Sequence, residues 1–353
     1  MTSQLSLLKL VIILSLLFSF STKAEAQDPR FAQFYAAPDQ LNPALNVVYD
    51  GQMRFIVNYR DQWSSVLNDV PFRTLAVHYD YRMNVGKNDY LSIGFSGLQD
   101  EAGISRLKRT KGQANLAFMK YLGGNRQRDF YLVAGAQAGV GQHSLDWSDL
   151  WFSEQFDVGN VAIDFNVSSG EVENRTGRIF PDFSAGLLWY MVGDDFSFYF
   201  GGALYHLNTP NISIFENSID RLNRRYVGHL GGEIAMTEYL SALPAASINF
   251  QGPAMDINIG TNFRYTSGEL NDLALRIGGW AHIAGTENSG TAFESFTVTS
   301  MLEMNTWMLG ISYDINTSQL TPASNARGAF EASFIYIIPT SGKRRTKVIC
   351  PKF

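Results

Sequence analysis

The sequence has few of the residues that mark a disulfide-stabilised or a nucleic-acid-binding protein. It contains one cysteine in 353 residues, which excludes a disulfide framework and any cysteine-rich metal site. Only 17 % of residues are charged, and 28 basic against 33 acidic side chains give a formal net charge of −5. A nucleic-acid-binding protein normally has a basic surface, so we predict no such partner. Aromatic residues (13 %) and glycine (31 residues) are abundant instead.

Catalytic and metal-binding motifs are also missing. The five histidines show no metal-ligand spacing. There is no His-Glu-x-x-His, no Gly-x-Ser-x-Gly and no phosphate-binding glycine loop. His143 beside Ser144 is the only local hint of a base and a nucleophile, and chance adjacency explains it better. We therefore predict that the protein is not an enzyme and has no catalytic residues, metal or cofactor.

The first 26 residues have the order of a secretory signal peptide. Lys9 precedes an apolar run over residues 10–20, and Ala24 and Ala26 frame an expected cleavage site before Gln27. That run is shorter than the roughly 20 residues that a membrane-spanning helix needs. No later segment approaches such a length. The sequence thus predicts export, either as a soluble protein or as a membrane β-barrel.

From about residue 53 onward, apolar and polar residues alternate with a period of two. In residues 305–316, for example, Trp307, Leu309 and Ile311 share one face, whereas Thr306 and Ser312 share the other. A lipid-facing barrel strand needs this pattern, although a soluble β-sandwich also shows it. We predict 14 such strands, an even number as a bacterial barrel requires. They lie near 53–62, 73–83, 89–98, 109–122, 129–143, 181–192, 196–207, 225–237, 241–251, 254–266, 270–283, 292–304, 305–316 and 328–338.

The predicted connections favour the membrane barrel over the sandwich. Short turns near 84–88, 123–128 and 193–195 alternate with longer connections, as in barrels with short periplasmic turns and long outer loops. The longer connections are 63–72, 99–108, 144–180, 208–224 and 317–327, and the exception is a tight turn at 251–253. We predict an all-β fold, a transmembrane antiparallel β-barrel of about 14 strands with an extended N-terminal segment. Its expected parts are a signal peptide (1–26), the N-terminal segment (27–52), the barrel (53–340) and a basic tail (341–353).

The alternation also predicts a set of polar side chains that face the lumen. A 14-stranded barrel is too wide for side chains alone to fill, so the interior is either a channel or is closed by an inserted segment. The charged groups either pair with one another along the wall or form a polar conduit or a docking wall for a peptide. The candidate lumenal residues are Arg54, Arg60, Asp256, Arg264, Arg276 and Glu331, with Asn58 and His282 on the same face.

Both ends of the chain resemble one known family. The segments Gln27-Asp-Pro-Arg-Phe-Ala-Gln-Phe-Tyr35, Leu41-Asn-Pro-Ala44 and Asn58-Tyr-Arg-Asp-Gln-Trp63 are similar to the start of the PorP/SprF family of Bacteroidota outer-membrane proteins. The segment from Ser324 to Glu331 and the closing Cys350-Pro-Lys-Phe353 resemble its far end. Ala326 and Lys352 depart mildly from the family pattern.

The resemblance implies an outer-membrane component of the type IX secretion system. Family members of this kind support export and surface attachment of large adhesins used in gliding. The implied partners are outer-membrane lipid, the C-terminal domain of a secreted cargo protein and other type IX components. The alternative function is a porin or FadL-like solute channel.

The N-terminal segment and one loop supply the candidate contact residues. Three prolines among aromatics in residues 27–45 indicate an extended strap and not a strand. The strap either plugs or lines the periplasmic mouth, or it is a passive lead-in to the first strand. The candidate partner or plug contacts are Asp28, Pro29, Phe31, Gln33, Tyr35, Asn42 and Pro43, together with Trp147 and Trp151 in the long loop.

Overall fold

The chain forms a closed antiparallel β-barrel of 14 strands. The computed structural model describes residues 28–67, 70, 72–146, 150–157, 159–168, 176–215, 218–266, 273–286, 290–318 and 321–340. The predicted signal peptide, the predicted basic tail and Trp147 lie outside these residues. None of the helices within the described ranges is long and apolar enough to cross a membrane.

Each barrel strand pairs with its neighbours in the sequence, and the first strand pairs with the last to close the barrel. A two-stranded hairpin, β6 (Phe156–Asp157) and β7 (Ala162–Ile163), lies in the long connection over residues 145–175. The barrel strands are β1 (Met53–Gln62), β2 (Phe72–Asn84), β3 (Tyr90–Ala102), β4 (Leu107–Gly124), β5 (Arg128–Ser144), β8 (Thr176–Gly193), β9 (Phe196–Tyr205), β10 (Arg225–Ala235), β11 (Leu240–Gln251), β12 (Ala254–Thr266), β13 (Ala274–Thr286), β14 (Gly290–Glu303), β15 (Trp307–Asn316) and β16 (Arg327–Ile338).

The predicted fold class and the predicted number of strands are confirmed. One connection differs, because residues 99–108 do not form a long loop. β3 and β4 continue their ladder until only residues 103–106 remain between them. Opposite charges face each other across this extension, Asp100 opposite Arg109 and Glu101 opposite Lys108, and such pairs favour continued strand pairing.

The two ends of the barrel differ in the length of their connections. The end that we call the loop end carries the long connections 63–71, 145–175, 206–224 and 317–326. The opposite end, the turn end, carries shorter ones such as 125–127 and 194–195. In outer-membrane barrels, long loops face the outside and short turns face the periplasm.

Alternation along each strand separates an apolar exterior from a polar interior. In β2, Leu75 (44 % exposed) and Val77 (40 %) point outward, whereas Thr74, His78 and Asp80 are buried inside. Lipid covers an exterior of this kind in a membrane, whereas the polar groups inside need protein or water as partners.

Residues 28–49, which we call the plug segment, fill the lumen. Three short helical turns, Phe34–Ala36, Pro38–Leu41 and Pro43–Val47, interrupt its course. Pro38 and Pro43 open the second and third turns, where proline costs no hydrogen bond. The segment is therefore not a strand.

The plug segment runs through the whole lumen and is not confined to one mouth. The backbone N–H of Asp28 donates to Gln251 at the loop end of β11 (2.9 Å). The Tyr49 hydroxyl donates to the carbonyl of Asp80 near the turn end of β2 (3.2 Å), and the chain then enters β1 at that end. The interior of the barrel is thus a packed core built around the N-terminal segment.

Candidate functional site: the plugged lumen

The candidate site is the interface between the plug segment and the inner wall of the barrel. Its character changes along the lumen. Charged clusters hold the segment at the loop end, close backbone contacts hold it in the middle, and arginines surround it at the turn end.

The first charged cluster surrounds His206, directly after β9, and we call it the His206 cluster. His206 Nε2 contacts the Asp28 carboxylate (2.7 Å), and Nδ1 contacts Asp182 on β8 (2.9 Å). Lys111 on β4 pairs with Asp182 (2.6 Å), and Arg225 on β10 lies 3.4 Å from Asp28. The first residue of the plug segment therefore contacts His206 and Arg225 directly, and Asp182 and Lys111 extend the network to β8 and β4.

Both ends of the Asp28–His206 contact are shifted toward their charged forms. Burial raises the pKa of the Asp28 carboxyl, but His206 and Arg225 outweigh it and hold that pKa well below its ordinary range. Burial lowers the pKa of His206, yet Asp28 and Asp182 raise it above its usual value overall. Both shifts favour the charged pair over a neutral contact.

The second charged cluster, the His282 cluster, binds Arg30 of the plug segment. The Arg30 guanidinium pairs with Asp256 on β12 (2.8 Å) and with Glu294 on β14 (2.7 Å). His282 on β13 lies between the same two carboxylates, 3.0 Å from Glu294 and in contact with Asp256. One histidine between two carboxylates occurs in both clusters.

Glu331 connects the plug segment to the closing seam between β1 and β16. Its carboxylate accepts the backbone N–H groups of Ala32 (2.7 Å) and Gln33 (3.0 Å). It also contacts Arg60 across the seam, and Arg60 pairs with Asp314 on β15 (2.8 Å). Buried charges persist only when paired and hydrogen-bonded, and this network pairs all three.

Glycines on the wall allow the middle of the plug segment to approach closely. A Cβ on Gly135 would collide with the backbone of Pro43, and one on Gly186 would collide with the side chain of Asn42. Asn42 donates to the carbonyls of Leu187 (3.0 Å) and Gly202 (3.2 Å). This part of the wall is shaped to the backbone that it holds.

At the turn end, Tyr49 lies between two arginines of the wall. Its ring centroid is 4.5 Å from Arg54 and 5.2 Å from Arg82, within cation–π range. Arg54 pairs with Asp80 (2.6 Å) and donates to the carbonyl of Leu45 (3.2 Å). The arginines therefore bind both the wall and the plug segment.

The candidate lumenal residues fall into two groups. Arg54, Arg60, Asp256 and Glu331 lie in the networks around the plug segment described above. Arg264 and Arg276 instead pair with Glu303 on β14, and Arg276 is 1 % exposed.

The candidate contact residues of the N-terminal segment lie inside the barrel. Asp28, Gln33, Asn42 and Pro43 touch the wall as described, and the Tyr35 ring lies 5.5 Å from that of Trp280 on β13. Pro29 and Phe31 line a crevice at the loop end. Trp151 is half-exposed in the long loop, with its ring 6.4 Å from Phe156 of the small hairpin.

Sequence reasoning missed Arg30, His206 and Glu294 as contact residues. Arg30 could have been found from the sequence. A cation in a segment that enters the lumen needs a carboxylate partner, and Asp256 was among the predicted lumenal residues. His206 directly follows the end of β9, and Glu294 is the extra residue at a register shift between β13 and β14. Alternation does not predict the direction of a side chain at either place. In the described part of the chain, no group of three or more His, Cys, Asp or Glu residues is arranged to hold a metal.

The fold and the interior define a plugged outer-membrane β-barrel. The sequence model of the family described as "Type IX secretion system membrane protein PorP/SprF" matches residues 23–336. The chain belongs to this family, as its terminal motifs predicted, and the predicted location in the outer membrane is confirmed. A comparison with curated protein sequences finds no match.

Solved structures with a similar barrel are distant. The Pseudomonas putida toluene transporter TodX is 13 % identical with a TM-score of 0.47, covering 89 % of this chain and 99 % of its own. CdiB from Escherichia coli is 8 % identical with a TM-score of 0.46, covering 82 % of this chain. The match spans 63 % of the CdiB chain. A FadL homologue from Pseudomonas aeruginosa is 11 % identical with a TM-score of 0.45, covering 84 % and 92 %. These likenesses are too weak to transfer a function.

Proposed function

We propose that this protein is a non-enzymatic part of the type IX secretion system that supports secretion and surface attachment of cargo proteins. Membership of the family assigns the protein to the type IX secretion system. The nature of the cargo, including gliding adhesins, is our proposal. In this role the barrel is an anchor or acceptor for the C-terminal domain of a cargo protein, and it is not the main translocation pore.

The filled lumen is the observation that carries this proposal. A solute channel needs a continuous open path, whereas the plug segment occupies the lumen from Asp28 to Tyr49. Ala36, Ala44, Val47 and Val48 of the segment are completely buried. A barrel filled in this way is a rigid scaffold whose loops and mouth remain available to partners.

The test compares the secreted and surface proteins of a deletion strain with those of the wild type. We expect one or a few large surface proteins to be lost and to return on complementation with the intact gene. Loss of the whole secreted set would make the protein a core part of the machine. An unchanged profile would contradict the proposal.

Conductance in planar lipid bilayers tests the alternative, a porin or FadL-like channel. The filled lumen predicts no steady conductance for the purified full-length protein. A stable open conductance in the wild type would favour the channel and contradict our assignment of the plug segment. A purified open porin run in the same bilayers controls for insertion.

A further inference from the structure

The loop-end mouth combines a basic and an acidic binding surface in neighbouring sectors of the wall. On the side of β4 to β10, His206 and Arg225 contact Asp28, and Lys111 pairs with the neighbouring Asp182. On the side of β12 to β14, Asp256 and Glu294 surround Arg30. The first residues of the plug segment therefore occupy two sites of opposite charge.

These first residues are held differently from the rest of the segment. The Arg30 side chain is 35 % exposed, and so is its partner Glu294. Ala36 and Ala44, farther along, are fully buried. Ion pairs that reach solvent exchange partners at lower cost than a packed apolar core comes apart. The Arg30–Glu294 pair is of this kind, whereas Asp28 is 19 % exposed against a nearly buried His206 (2 %). Because residues 28–30 lie at the start of the plug segment, their departure does not require the remainder to move.

A crevice beside this part leads from the mouth into the wall. It lies between the plug segment and strands β10 to β12. Phe31 and Phe34 line its apolar side, and Arg225 and Ser247 line its polar side. The Ser247 hydroxyl is 3 % exposed and finds no hydrogen-bond partner among the described residues. A buried polar group without a partner needs an explanation, and a ligand or a water in the crevice would supply one.

Departure of residues 28–30 would leave both surfaces with unbalanced charge. Asp182 alone would then face Lys111, His206 and Arg225. On the other side, Asp256 and Glu294 would keep His282 as a shared partner, and two neutral asparagines would still donate to Asp256. Unbalanced buried charge is costly, so the mouth favours a replacement with the same charge pattern.

We propose that the loop-end mouth is a docking surface for an extended segment of a secreted protein that carries an acidic and a basic residue two positions apart and displaces residues 28–30. That the segment comes from a secreted protein rests on the proposed function. The charge pattern that the surface would bind does not depend on that function. Asp28 and Arg30 are two positions apart and reach the two surfaces from one short stretch of chain.

A binding experiment with two short fluorescent peptides tests the proposal. One peptide contains Asp-Pro-Arg, and the other has the same composition with the two charges exchanged. The protein is the full-length chain in detergent, either as wild type or as the Asp28→Ala/Arg30→Ala variant. We expect the variant to bind the Asp-Pro-Arg peptide about tenfold more tightly than the exchanged peptide, and about tenfold more tightly than the wild type does.

The matched control is Arg126→Ala/Asp194→Ala, which removes the same two charge types from exposed turn-end positions. It should bind like the wild type. Equal binding of both peptides to the mouth variant, or binding of neither, would overturn the proposal. An unchanged secreted-protein profile in the deletion strain would contradict the proposed function alone and would leave a charge-ordered peptide site in place.

Thiol labelling gives a second readout that does not depend on the alanine variant. Pro29→Cys in a Cys350→Ser chain places a thiol between the two charged residues. The Asp-Pro-Arg peptide should accelerate its reaction with a membrane-impermeant maleimide, and the exchanged peptide should not. Equal acceleration by both, or none by either, would contradict displacement of residues 28–30.

Discussion

Replacement of Glu331 by alanine gives the sharpest test of how the plug segment is held. Glu331 is 1 % exposed, accepts two backbone N–H groups of the segment and pairs with Arg60 across the seam. Removing one partner of a buried charge pair costs about 3–5 kcal/mol. Asp314 still pairs with Arg60 and reduces the loss, whereas the unpaired N–H groups of Ala32 and Gln33 add to it. We therefore expect the free energy of unfolding to fall by about 3–5 kcal/mol.

The assay is urea unfolding in detergent micelles, followed by tryptophan fluorescence. Glu331→Gln keeps the shape and one acceptor oxygen but loses the charge, so it should fall between wild type and alanine. Glu238→Ala, an exposed turn-end residue, is the control and should stay within about 0.5 kcal/mol of wild type. A loss below about 1 kcal/mol for Glu331→Ala would refute the view that this carboxylate joins the plug segment to the seam.

Three further changes test the rest of the interface by the same unfolding assay. Gly135→Ala places a methyl group against the plug segment and should lower the free energy of unfolding by about 1–3 kcal/mol. Gly112→Ala on the neighbouring strand places its methyl group in open space and should leave the free energy of unfolding unchanged. Asn42→Ala removes two wall hydrogen bonds and should cost about 2–3 kcal/mol; a neutral result would contradict its role. The raised pKa of His206 means that its contribution is complete below its ordinary value near 6.5 and is lost as pH rises through the folded pKa. The lowered pKa of Asp28 keeps that carboxylate charged throughout this range. Between pH 6 and pH 9 the wild type should therefore lose more stability than His206→Gln, and equal losses would contradict the ion pair.

The barrel could be predicted from the sequence because its signal is local. A strand repeats every two residues, so the positions of Trp307, Leu309 and Ile311 already separate the lipid face from the lumen. The boundary errors occur where polar residues continue a ladder, as Asp100 does opposite Arg109. Nothing in one strand alone shows where such a ladder ends.

The course of the plug segment could not be predicted, because its contacts join distant parts of the chain. Asp28 binds Gln251, 223 residues away, and Arg30 binds Glu294, 264 residues away. The sequence shows that prolines exclude a strand in this region. It does not show which of many inward carboxylates receives Arg30, since that depends on the register and tilt of the closed barrel.

The path of the plug segment also constrains the order in which the barrel forms. The segment continues into β1 at the turn end, and its first residues are bound at the loop end. In the middle, the wall leaves no room between Gly135 and the segment's backbone. A segment so tightly enclosed is placed more easily while β1 and β16 are still apart than threaded through a finished barrel. Glu331 lies on β16 and receives the N–H groups of Ala32 and Gln33, so the last strand meets the plug segment and β1 in the same step. We therefore expect closure of the barrel and seating of the segment to be coupled through Glu331.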